Sequence, residues 1–135
     1  MKRTDFKKIL SDRISAQERE LLVSSSSDLY ISDFNREVCR RIFEAPVNDD
    51  DQEIDERAAE ELEHSLQDFL SEYMSDHPDA HKWIILACLE LTFVEELPMH
   101  PQTSANWVYK DGKYFCPSVK KDSVICRYCA CKEMD

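Results

Sequence analysis

One glycine in 135 residues, Gly112, restricts what this chain can fold into more than any other feature. Dinucleotide-binding fingerprints, P-loops and nucleophile elbows each need several glycines, for tight turns and for close backbone approach to phosphate or substrate. None can be assembled here. Sandwich folds draw on glycine at hairpin turns and bulges, so an all-β architecture is disfavoured too. The default that remains is a helical protein with short connections.

The N-terminal Met1-Lys2-Arg3-Thr4-Asp5-Phe6-Lys7-Lys8 is basic with no apolar run behind it, unlike a secretory signal. The longest apolar stretch, Trp83–Leu89, has seven residues, far short of the ~20 needed to span a bilayer. A soluble, cytoplasmic protein is expected, with reduced thiols, so clustering among its six cysteines favours metal binding over disulfides. Seventeen Lys+Arg against 28 Asp+Glu give a net charge of −11. That sign argues against adsorption to nucleic acid or to an anionic membrane.

Apolar periodicity lays out the helices. Phe6, Ile9, Leu10 and Ile14 share a face over residues 4–14, and Ser15-Ala16-Gln17-Glu18 is a capping-box pattern for a short second helix to Val23. After a four-serine break, a third helix is predicted over residues 28–45, with Tyr30, Phe34, Val38 and Ile42 on one side and Arg36, Arg40 and Arg41 opposite. Asn48-Asp49-Asp50-Asp51 is read as the negatively charged opening of a fourth helix, its stripe running from Ile54 through Leu62, Leu66, Phe69 and Leu70. From Glu44 to Asp76 there are 13 acidic residues and one basic, so this stretch carries −12. Pro78 then starts a segment to Leu97 that is apolar almost all round, as a central helix is.

The character changes after Pro98. Residues 106–135 hold six basic and four acidic side chains, a local +2. Trp107–Lys110 and Lys113–Cys116 flank Asp111-Gly112, so the lone glycine stands where a hairpin turn needs it. Cys116, Cys126, Cys129 and Cys131 fall within the last 20 residues. Cys126-Arg127-Tyr128-Cys129 has the spacing that lets two thiolates from one turn reach a single ion, and zinc takes four such ligands in a tetrahedron. Cys116, at the end of the hairpin, is a third ligand. The fourth is either Cys131 or His100. Zinc is the favoured metal, an iron–sulfur cluster the alternative. Cys39 and Cys88, on apolar helix faces, read as buried small hydrophobes.

Leu91–Pro101, Lys110-Asp111-Gly112-Lys113-Tyr114-Phe115-Cys116-Pro117 and Cys126–Cys129 together resemble an uncharacterised protein family of methane-producing archaea, over about residues 83–131. That family joins a helical body to a His-Pro, a Tyr-aromatic-Cys-Pro and a Cys-x-aromatic-Cys. The resemblance implies His100, Cys116, Cys126 and Cys129 as the ligand set. It implies no activity. Here Gln102–Asn106 replaces a glycine-rich segment of the family, and Cys131 is an addition.

The expected architecture is mostly α: a bundle of four to five helices (residues 1–98) with a C-terminal metal-bound β-hairpin (residues 99–135) packed on it as one domain. The expected function is a non-enzymatic zinc-binding interaction or regulatory module, presenting the acidic helix of residues 48–75 to a basic partner. The competing reading is an iron–sulfur or open-site metalloprotein, with Glu95 and Glu96 near the metal for redox or hydrolytic chemistry.

Overall fold

The structure is a computed structural model that describes residues 1–24, 28–45 and 52–97, together with the strand backbone at 108–110 and 113–115. Among the described residues five α-helices follow one another: α1 (Arg3–Asp12), α2 (Ala16–Val23), α3 (Asp33–Glu44), α4 (Glu56–Tyr73) and α5 (Pro78–Leu89). A π-helical turn, Glu90–Glu95, continues α5. The protein is mostly helical, as the scarcity of glycine requires.

The capping box forms as its sequence specifies. Ser15 Oγ accepts from the Glu18 amide at 3.1 Å, and the Glu18 carboxylate accepts from the Ser15 amide at 2.9 Å. The next helix starts later than its periodicity suggests. Ser32 Oγ accepts from the Asn35 amide, so α3 begins at Asp33 and residues 28–31 stay outside it. Tyr30, expected on the buried stripe, instead stacks on the His77 ring at 4.1 Å between centroids. Two of the α3 arginines, Arg36 and Arg41, are tethered to neighbouring elements, while Arg40 pairs with Glu44 on α3 itself. Arg36, for example, donates to the carbonyls of Leu21 and Leu22 at the end of α2.

The start of α4 is also corrected. Its cap is Asp55, whose carboxylate accepts from the Arg57 and Ala58 amides, whereas Gln52–Ile54 precede the helix and pair with the N-terminus. The Ile54 amide donates to the Met1 carbonyl and the Arg3 amide to the Gln52 carbonyl. A single antiparallel bridge, Lys2 opposite Glu53, joins the two segments there. Ala59, Leu62, Leu66 and Leu70 face the core, while Phe69, expected among them, is exposed on the flank.

Helix α5 is central. It packs against α3 and α4, and the π-turn extends its contact to α1. Ala80, Trp83, Ile85, Leu86, Ala87 and Leu89 are all buried, each large one contributing about 1.5–3 kcal/mol of apolar burial. Cys39 is buried against it, its thiol 3.6 Å from the Trp83 carbonyl and pushed up to about 12 by burial. Among the described residues, no helix is long and apolar enough to cross a membrane.

Strands β1 (Val108–Lys110) and β2 (Lys113–Phe115) pair antiparallel, Val108 opposite Phe115 and Lys110 opposite Lys113. The two residues joining them are Asp111 and Gly112. That turn, any metal, and the packing of this ribbon on the body lie outside the described residues.

Candidate functional site

Six charged side chains, Glu90, Glu95, Glu96, Lys7, Arg41 and Arg3, pair around the π-turn. An α-helix advances 100° per residue, so positions 90 and 95 on one would stand about 140° apart. The wider π-turn brings Glu90 and Glu95 near enough for Glu95 to help raise the Glu90 carboxyl. The Leu97 amide donates back to the Leu91 carbonyl at 2.8 Å, and Glu96 closes the turn in the left-handed region at φ 56°. Left-handed backbone is costly for a residue with a Cβ, and the exposed Glu96 side chain pairs with Arg3 there.

Each of the three glutamates meets a cation from a different point of the body. Lys7 of α1 places Nζ 3.1 and 3.3 Å from the two oxygens of Glu90. Arg41 of α3 forks onto Glu95 at 2.9 and 3.2 Å. Arg3 donates to Glu96 at 3.2 Å and to the Gln52 side chain at 3.1 Å. Glu90 has no exposed surface at all and Lys7 only 8%. Burial pushes the Glu90 carboxyl well above the ordinary carboxylate range. Lys7 opposes that shift, and the neighbouring Glu95 adds to it. This cluster fixes the end of α5 to α1 and α3, at the point where the chain leaves toward His100.

Glu95 and Glu96 were candidates for acid–base work beside a metal. Both are committed to guanidinium groups, which fits them to anchoring. Sequence reading missed Glu90 as a buried partner. Its α-periodicity showed only an acidic break in an apolar run, and nothing local announced Lys7, 83 residues away.

The metal ligands expected from sequence, His100, Cys116, Cys126 and Cys129, with Cys131 as the alternative fourth, lie outside the described residues. Cys116 follows directly on β2. Among the described residues no group of three or more His, Cys, Asp or Glu is arranged to hold a metal ion. His77 and His81, a spacing compatible with a metal pair, serve other ends: the first stacks on Tyr30, and Nε2 of the second lies 2.7 Å from the Met74 carbonyl.

No curated protein and no solved structure matches this chain. A family model does, over residues 9–134, and so takes in both the helical body and the cysteine-rich C-terminal segment. The chain belongs to that family, described as an uncharacterized protein conserved in archaea (DUF2115).

Proposed function

We propose that the protein is a non-enzymatic interaction module, a helical body joined to a C-terminal segment stapled by a structural zinc ion. Cys116, Cys126, Cys129 and His100 are the ligands, with Cys131 the alternative to His100. One observation carries the reading: Cys116 directly follows a two-stranded ribbon with a two-residue connection, ten residues before a Cys-x-x-Cys pair. A short ribbon and a thiolate turn are the parts from which small zinc sites are made. The donor set fits the ion, since three thiolates and an imidazole satisfy tetrahedral zinc and leave no position open for substrate. About 35 residues without an apolar core of their own need such a staple.

The body supports the same reading. Glu90, Glu95 and Glu96 are locked in ion pairs, and α4 turns Glu56, Glu60, Glu61, Asp68 and Glu72 outward, a face suited to a basic partner. A cytoplasmic location keeps the thiols reduced and available to the metal.

Cobalt substitution tests the ligand set. Apoprotein reloaded with Co(II) is expected to show the intense visible bands of a tetrahedral thiolate site. Those bands should change in His100→Ala and persist in Cys131→Ser. The reverse pattern would replace His100 by Cys131 in the ligand set. Absence of any tetrahedral bands in the full-length protein would refute the site.

A further inference from the structure

In an α-helix the residue one turn on from Glu90 is Val94. The π-turn is one residue wider per turn, and so puts Glu95 there instead. The end of the turn is widened by the same residue. The Leu97 amide reaches back six residues to the Leu91 carbonyl, where a helix closed by a left-handed residue ordinarily spans about five. Glu96 supplies that left-handed residue, at φ 56°. A rare helical form and a costly backbone angle therefore meet over one buried carboxyl group.

Charged and titratable groups reach the turn from each element packed on it. Helix α1 supplies Lys7, hydrogen-bonded to both Glu90 oxygens, and Arg3, held on Glu96. Helix α3 supplies Arg41, forked onto Glu95 and 4.0 Å from Glu37, together with the Cys39 thiol. Helix α5 brings Cys88 near Cys39. The turn itself adds Glu95 and Glu96. Glu90 has no exposed surface, whereas the Glu95 side chain is 18% exposed. When two carboxyl groups share a site, the more buried one keeps its proton longer. Burial pushes the Glu90 carboxyl up to about 7; Lys7 acts against that rise and Glu95 adds to it.

A neutral Glu90 tolerates Glu95 beside it. Once Glu90 ionises, the π-turn holds two like charges together that an α-helical course would set about 140° apart. Taking that course gives up the Arg41–Glu95 and Arg3–Glu96 pairs, both partly open to water and therefore weak. We propose that the π-turn is a proton-operated switch, closed while Glu90 carries its proton and relaxing toward an α-helical course when Glu90 and Glu95 are both charged. The switch redirects the chain where it leaves the body after Leu97. Each unit by which the Glu90 value differs between the two courses changes their ratio by about tenfold.

Carbon-13 NMR of the full-length protein tests this, because backbone shifts report the native course without unfolding the chain. The range runs from about pH 5.5 to about pH 8.5, either side of the Glu90 value. The Cα and carbonyl shifts of residues 91–97 are expected to move together, with the midpoint of the Glu90 carboxyl, near 7. Glu90→Gln should hold the low-pH positions throughout. In Glu95→Gln, Glu90 still titrates, its midpoint lowered by roughly half a unit or more, but the shifts of residues 91–97 stay in place. A direct effect of the Glu90 charge on those shifts would survive in that variant.

Circular dichroism confirms that each variant is folded; should Glu90→Gln fail to fold, Glu95→Gln decides alone. Wild-type shifts that stay constant over the range, or that titrate equally in Glu95→Gln, would overturn the switch. So would a Glu90 midpoint below about 5.5, the result expected if Lys7 keeps the carboxylate charged throughout.

Discussion

Lys7→Met is expected to destabilise the folded protein by about 3 kcal/mol at pH 8 and by much less at pH 5. The substitution removes a cation hydrogen-bonded to a carboxylate that has no exposed surface. Above neutral pH the variant must either bury an uncompensated charge or take up a proton against its concentration gradient. The pH dependence follows from the direction of the shift. Burial raises the Glu90 carboxyl to about 7 in the folded protein, against 4.5 for an ordinary glutamate. A raised folded value means that the folded state holds a proton that the unfolded state has released. Its contribution to stability is therefore fully present below 4.5 and is lost as pH rises through about 7. Without Lys7 the value rises further, so acid relieves the variant. Urea unfolding at the two pH values measures this. Equal losses at pH 5 and pH 8, or a loss within about 0.5 kcal/mol at both, would show that Lys7 and Glu90 do not act as a buried pair. Replacing both by apolar residues should cost less than Lys7→Met alone, because no charge is then stranded.

Much of the body was legible from periodicity and capping chemistry, which are local. The Ser15–Glu18 box, the buried stripe of Leu62, Leu66 and Leu70, and the central greasy helix all follow from spacing within a few turns. The departures arise where a distant partner or a competing cap decides. Asp28–Ile31 carry helical spacing, but Ser32 offers the better first-turn acceptor. Asn48–Asp51 lie outside the described residues, but Gln52–Ile54 just ahead of α4 pair with Met1 and Arg3 at the N-terminus, and Asp55 takes the cap. The π-turn is the clearest case. A 3.6-residue period hides the meeting of Glu90 with Glu95, and only tertiary structure brings Lys7, Arg41 and Arg3 to the three glutamates. The metal ligands are the opposite case. Their reading rests on cysteine spacing and on the resemblance, and those residues lie outside the described structure.

Replacing Cys126 and Cys129 together by Ser should lower the melting temperature by roughly 5 °C or more, equivalent to about 2 kcal/mol for a chain of this size. It should also abolish metal binding. Under the proposed zinc site, metal-binding free energy is folding free energy for the residues that the metal joins. The helical body, with its own core around α5, should retain its helical circular dichroism. Cys131→Ser serves as the comparison and is expected to keep both metal and stability. A double variant that melts at the wild-type temperature would contradict a stabilising role for the metal.

The central claim, a structural zinc held by Cys116, Cys126, Cys129 and His100, is tested most directly by elemental analysis of protein purified anaerobically without added metal, read with its visible spectrum. The account predicts one zinc per chain and a colourless preparation. Iron with a visible chromophore, or a folded protein free of metal, would contradict it.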